Sequence, residues 1–300
     1  MKKIILSLAI ISAFVSATYA QNDIQLTQYV FAEPTFNPSL CGSTNTIDGA
    51  LGVRQQWMGF DGGPSTQYFQ ANAFFEPAQG GLGISFINDK VGYLKTMDFK
   101  LMYAYKLQLD KNSMISMGLG AGFLSSRIEG SSLIYDETDD PSAITTDEGK
   151  FSPDFSVGFA YHNPNMVAGI SSTHINQSFK KATIFKYPRH YYIYSKFKID
   201  ASDIIKIVPS ILIRTNFYIT QFDLGGQVYF NNRFWGGASY RLNDALCGMA
   251  GVYITPYLKL GYSYDYNCGA VKKNSAGSHE IVLSGSFKGF KASKEFFPSF

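Results

Sequence analysis

The side chains able to do chemistry are few and scattered. The chain holds four histidines: His162, His174, His190 and His279. None stands with Cys, Asp or Glu at a spacing that ligates a metal. Three cysteines, Cys41, Cys247 and Cys268, are odd in number and far apart, which is not a disulfide framework. The registers of the strands expected to carry Cys247 and Cys268 miss one another, so small buried thiols are expected rather than a bridge. No Gly-x-Ser-x-Gly elbow or phosphate loop occurs. Gly118-Leu119-Gly120-Ala121-Gly122 has the look of a loop, but its glycines fall on one phase of an alternating run, where close packing explains them. No catalytic, cofactor or metal site is expected, and the chain reads as a non-enzyme.

The remaining charge is of two kinds. The stretch 129–148 holds Glu129, Asp136, Glu137, Asp139, Asp140, Asp147 and Glu148 without a Lys or Arg, at a spacing that does not match an EF-hand. The stretch 175–189 holds Lys180, Lys181, Lys186 and Arg189 without an acid. The two either pair across a common mouth or stay solvated. The second kind, Arg54, Asp98, Lys100, Lys106, Arg214, Asp223 and Asp265, sits singly inside alternating runs.

Those runs are the elements that position everything else. Phe99, Leu101, Tyr103, Tyr105, Leu107 and Leu109 occupy one phase; Asp98, Lys100, Met102, Ala104, Lys106 and Gln108 occupy the other. After Asp110-Lys111-Asn112-Ser113, the residues Ile115, Met117, Leu119, Ala121 and Phe123 alternate with Ser116, Gly118, Gly120 and Gly122. Side chains on a strand point to opposite faces in turn. This is a hairpin with one apolar face and one polar or glycine face, and arms of about eleven residues match a tilted strand that crosses a bilayer. Similar runs recur to about residue 287, giving fourteen expected strands between 47 and 287, an even number. The seventh, about 166–174, is ambiguous in phase.

Connections alternate in length. The longer set is 58–65, 89–96, 125–151, 175–189, 215–220 and 267–278, with 242–244 as its one short member. The other set consists of tight turns such as Asn163-Pro164-Asn165 and Asn231-Asn232. Long outer loops and short periplasmic turns produce that asymmetry. Lipid penalises Lys or Arg on the apolar phase near the midplane by roughly 2–4 kcal/mol. Asp48, Asp154, Lys196, Lys198, Lys206, Arg241, Lys259 and Glu280 join the seven charges above on the polar phase. The expected fold is therefore all-β: an up-and-down antiparallel outer-membrane barrel with outer-membrane lipid around it. In it Arg54, Asp98, Lys100, Lys106, Arg214, Asp223 and Asp265 line the lumen.

Composition is compatible: 25 Phe, 20 Tyr and 28 Gly favour strands, close backbone contacts and aromatic girdles. A net charge of +3 is too weak to imply nucleic acid. Lys2 and Lys3, the apolar run Ile4 to Val15 and Thr18-Tyr19-Ala20 form a secretory signal over 1–20. Residues 21–46 carry Pro34, Asn37, Pro38 and Gly42 without a period, and are expected as an irregular periplasmic segment packed under or into the barrel. Residues 288–300 form a C-terminal tail in which Pro298 argues against a further strand.

The most distinctive stretch is the first outer loop, Gln56-Trp57-Met58-Gly59-Phe60-Asp61-Gly62-Gly63-Pro64. With Tyr29 to Ser43, Asn88-Asp89-Lys90-Val91-Gly92 and Gly277-Ser278-His279-Glu280-Ile281, it resembles the PorP/SprF family of the type IX secretion and gliding machinery of Bacteroidota. The resemblance runs over nearly the whole mature chain, except that the tail continues past the family's last strand. It implies an outer-membrane accessory protein that assists surface delivery or anchoring of a cognate exported adhesin or other cargo. It also implies contact with the periplasmic ring components. Trp57, Gly59, Phe60, Asp61, Gly62 and Pro64 are the candidate partner contacts, an aromatic girdle with a turn being the other reading of that rim. A small-solute channel is the alternative function, since a barrel of this size leaves a lumen.

Overall fold

A computed structural model describes residues 23–133, 135, 144–176, 185 and 187–288. The expected signal segment, most of the tail, and Lys180, Lys181 and Lys186 of the basic loop lie outside them. Fourteen antiparallel strands form one closed barrel. They are β1 (Thr46–Gln55), β2 (Ser65–Phe75), β3 (Gly80–Val91), β4 (Leu94–Asp110), β5 (Ser113–Ile128), β6 (Glu148–Asn163) and β7 (Met166–Thr173). The second half is β8 (His190–Phe197, continued by Ile199–Ser202), β9 (Ile205–Thr215), β10 (Thr220–Phe230), β11 (Phe234–Arg241), β12 (Ala245–Thr255), β13 (Leu258–Asn267) and β14 (Ser278–Lys288). Closure comes from β1 pairing with β14, from Thr46 opposite Lys288 to Gln55 opposite His279. Every strand then has two neighbours, so no edge is left open to lipid. The break in β8 at Lys198 has a local cause. Lys196 pairs with Ser210 and Ile199 with Ile207, which puts Pro209, lacking an N–H, opposite Phe197.

The two faces answer the membrane question. Leu101 is 57% and Leu119 64% exposed, whereas Lys100 is 3% and Lys106 6% exposed. The apolar phase forms the outer wall and the charged phase looks inward. On the seventh strand, Val167, Ser171 and Thr173 are buried and Ile170 is exposed.

Two expectations need correction. The link 89–96 is not a long loop: β3 and β4 are zipped up to Val91 opposite Leu94. Nor are the arms of the principal hairpin eleven residues long, because β4 has 17 residues and β5 and β6 have 16 each. Their upper thirds form a raised wing. Phe99, Phe123 and Phe151 stack along its outer face, with ring centroids 5.4 Å and 4.9 Å apart. Beyond them the same outward phase carries Lys95 and Arg127, paired with Glu129 and Asp147 respectively. The aromatic row marks the interface and the ion pairs stand above it, where charge on the outer phase costs little.

Candidate functional site

The lumen is occupied by the chain itself, apart from a cavity of about 140 Å³ left between an N-terminal segment and the wall. The segment 23–45 enters the bore among the ends of β7, β8 and β13 at the long-loop mouth. It descends through three short 3-10 turns (Tyr29–Phe31, Glu33–Thr35 and Pro38–Leu40) and meets β1 at the turn end. Expected under or into the barrel, this plug lies inside it. Its lack of period follows from its surroundings: each residue faces a different part of the wall, so no single spacing repeats. Pro34 and Pro38 suit the starts of their turns, and the Asn37 side chain caps the last by accepting from Ser39 N at 3.1 Å.

The lower part of the plug is seated by shape. A Cβ on Gly118 would stand 2.1 Å from Ser39 N, and one on Gly158 1.9 Å from Asn37 Oδ1. A Cβ on Gly81 would stand 2.0 Å from Cys41 O. These lumen-facing glycines form a trough in which the plug backbone lies against the wall. Gly42 closes it with a φ of +58°, a region that glycine reaches without strain. Lys106 Nζ donates to Ser39 O at 3.0 Å and Ser43 Oγ at 3.1 Å. Higher up, Tyr29, Phe36, Tyr192 and Tyr194 pack with centroids 5.5–6.2 Å apart, and Glu33 pairs with Lys196 and accepts from Tyr194.

The upper part is latched by charge. Glu280 accepts from two successive plug amides, Thr27 N at 2.7 Å and Gln28 N at 3.2 Å, and from Tyr68 Oη at 3.1 Å. Arg54 reaches Thr27 Oγ1 at 2.9 Å, Asp265 at 2.7 Å and Glu280 at 3.4 Å. Thr27 Oγ1 donates to Asp265 at 2.8 Å, and Arg241 ties Asp265 at 3.2 Å to Asp223 at 3.3 Å. Arg214 donates to Ile24 O at 2.8 Å. Breaking one partner out of such a buried network costs about 3–5 kcal/mol, because the other charge is left uncompensated.

At the mouth, Asp23 accepts from Thr173 at 3.2 Å and from Tyr192, and faces His174 Nε2 at 3.5 Å. His174 Nδ1 meets Asp154 at 3.0 Å, and Lys100 bridges Asp98 at 2.6 Å and Asp154 at 3.3 Å. Asp98, Asp154 and His174 thus bring ligand-type atoms within 4.8 Å of one another. Linear spacing does not reveal this set, because its members come from β4, β6 and the loop after β7. Lys100 takes the place a metal would compete for.

All seven expected lumen charges are buried inside the barrel. Arg54, Asp223 and Asp265 meet in the latch, Asp98 and Lys100 meet at the mouth, Arg214 holds the plug's start, and Lys106 holds its end. Glu280, Arg241, Thr27, Asp154 and His174 complete these clusters and were absent from the expected site. For Glu280, Arg241 and Asp154 the signal was present, since each falls on the polar phase; for Thr27, in a stretch without period, there was none.

The six rim residues lie in one compact loop above the latch. Trp57 and Phe60 pack edge to face at 6.2 Å, and Gly63 N returns to Phe60 O at 3.1 Å. Met58 N to Gly277 O at 2.8 Å, and Gly92 N to Gly62 O at 2.9 Å, knit the loop to its neighbours. Gly59, Phe60, Asp61 and Gly62 are exposed, Trp57 is half-buried, and Pro64 is buried with its carbonyl accepting from Gln56 N at 2.8 Å. Cys41, Cys247 and Cys268 are all free thiols; Cys41 and Cys247 are buried, whereas Cys268, expected buried, is exposed just past the end of β13. Of the charged outer loops, which either pair or stay solvated, Asp136, Glu137, Asp139, Asp140, Lys180, Lys181 and Lys186 lie outside the described residues; Arg189 donates to Ile175 O at 2.5 Å, and Glu129 and Asp147 pair within the wing.

A closed barrel with a lipid-compatible outer wall and a plug-filled bore defines an outer-membrane β-barrel. The model of the family described as type IX secretion system membrane protein PorP/SprF matches residues 18–284, and the chain belongs to that family. Among solved structures it is similar to the CymD monoaromatic hydrocarbon channel, with 13% identity and a TM-score of 0.52, covering 90% of this chain and 94% of that one. It is also similar to the Ralstonia pickettii toluene transporter TbuX, with 10% identity and a TM-score of 0.50, covering 86% and 93%. At those identities the likeness is one of fold. No curated protein matches the chain.

Proposed function

We propose that this protein is a closed, non-enzymatic platform of the type IX machinery in the outer membrane. It assists surface delivery or anchoring of a cognate exported protein. The observation that carries this reading is the filled bore. With Thr27, Gln28, Asn37 and Ser39 bonded to or packed against the wall, nothing the size of a polypeptide passes through, so work on cargo falls to the surfaces at the two ends. The long-loop mouth faces outward and offers the knitted rim of Trp57, Gly59, Phe60, Asp61, Gly62 and Pro64 to cargo. The short turns face the periplasmic ring components. The channel reading draws on the printed functions of CymD and TbuX, and the same filled bore weighs against it.

Deletion of the gene is expected to remove one or a few cargo proteins from the cell surface or medium while small-molecule uptake stays normal. A barrel carrying Trp57→Ala and Phe60→Ala is expected to fold and to reproduce part of that loss. An unchanged secretome in the deletion strain contradicts the reading.

A further inference from the structure

A cavity of about 130 Å³ lies at the mouth between the plug and the wing. Asp89 and Asp98 stand in its wall with the apolar side chains of Val91, Leu94 and Leu124. Asp98 is buried and gives Oδ2 to Lys100 at 2.6 Å, while Oδ1 has no hydrogen-bond donor. A buried carboxylate oxygen without a donor is costly. Asp89 is half-buried and accepts from Thr66 at 2.6 Å on Oδ1. Ile87 pairs with Asp98 and Asp89 with Thr96, so the two acids are diagonal neighbours on one face of the β3–β4 ladder, within reach of a common ligand.

We propose that this cavity takes a primary ammonium group carried on a short apolar stem. An ammonium is a compact donor that answers two neighbouring carboxylates, one of which, Asp98, holds a buried oxygen without a donor, and the three apolar residues suit a chain of methylenes. A cavity of about 150 Å³ holds a ligand of benzene's size, so this one fits a four-carbon amine. Neither histidine in the wall is available to Asp89 or to the free oxygen of Asp98. His190 accepts from Asp23 N at 3.2 Å and meets Pro188 O at 3.0 Å, which sets it as a neutral ring. His174, with a carboxylate at each nitrogen, is a cation committed to Asp154 and Asp23. A divalent metal fits less well, because Lys100 already sits between Asp98 and Asp154 and both nitrogens of His174 are engaged. The same chemistry belongs to a free alkylamine and to a lysine side chain.

The test is calorimetric titration of the full barrel in detergent with n-butylamine, n-butanol, Nα-acetyl-lysine-N-methylamide, zinc and calcium. Heat-modifiable migration serves as the check on folding. Saturable n-butylamine binding is expected, at least tenfold weaker in Asp89→Asn and in Asp98→Asn, with no saturable n-butanol binding. Among the described residues Asp89 takes part in no ion pair, so its variant keeps the test valid if Asp98→Asn fails to fold. Butylamine tighter than the lysine derivative points to a free amine; the reverse points to a side chain of another polypeptide. Absence of butylamine binding, equal binding of butanol, indifference to Asp89→Asn, or a metal that binds and displaces butylamine overturns the proposal.

Discussion

At the mouth the plug is fixed by charge; at the turn end it is fixed by shape. Around Thr27 and Gln28, Arg54, Arg241, Asp265 and Glu280 form a continuous network with distances from 2.7 to 3.4 Å. Around Asn37 to Gly42 the wall supplies glycines, and the charged side chain of Lys106 reaches the backbone. The difference lies in what each arrangement tolerates. A network of ion pairs is strong when whole and costly when partly broken, but its side chains reorient. A trough of missing side chains holds little reserve, because the atoms met at Gly118 and Gly81 are backbone and those at Gly158 are the Asn37 side chain that caps the last turn.

Substitutions separate the two grips. Arg54→Ala leaves Glu280 and Asp265 short of a buried counter-charge, and a loss of about 3–5 kcal/mol is expected, read as a lowered midpoint of heat-modifiable migration. A loss below about 1 kcal/mol would make the latch incidental. Gly118→Val drives a side chain into Ser39 N. Overpacking of this kind costs about 1–3 kcal/mol, and the residues 37–44 should become open to added protease while the barrel persists. Protection equal to the parent protein would mean that the trough does not seat the plug. The smallest effect concerns the wing, whose charges lie in water. The hydrogen bond from Arg127, with those from Ser131, holds the Asp147 carboxyl down at about 2. A depressed folded value means that this contact is present above the ordinary carboxylate range and is lost as pH falls through about 2. Carboxyl NMR titration checks it, and a midpoint near the ordinary value would remove the pair.

The same contrast explains what could be read from the sequence. Every outward residue meets one solvent, lipid, so Leu101, Tyr103, Leu119 and Phe123 repeat with period two and the barrel wall is legible. The inward charges were legible too, because Lys100 and Lys106 share the phase opposite the uninterrupted apolar one. Their pairing across the bore was not, since Lys100 meets Asp154 from β6, and Asp154 in turn meets His174 from the loop after β7. The plug was illegible for the opposite reason to the wall: Thr27, Asn37 and Ser39 each answer a different neighbour. Its shadow was nevertheless present in Gly118 and Gly158, small residues on the lumen phase where a side chain had no room. The wing was misjudged at 89–96 because Lys95 on the outward phase reads as the end of a membrane strand, whereas the strand continues beyond the bilayer.

The filled bore is the claim on which the functional account rests, and planar-bilayer recording tests it most directly. The full-length barrel should show no large, steady single-channel steps, whereas a form lacking residues 23–45 should show them. Large steady steps from the intact protein would contradict the account and return the barrel to the solute channels.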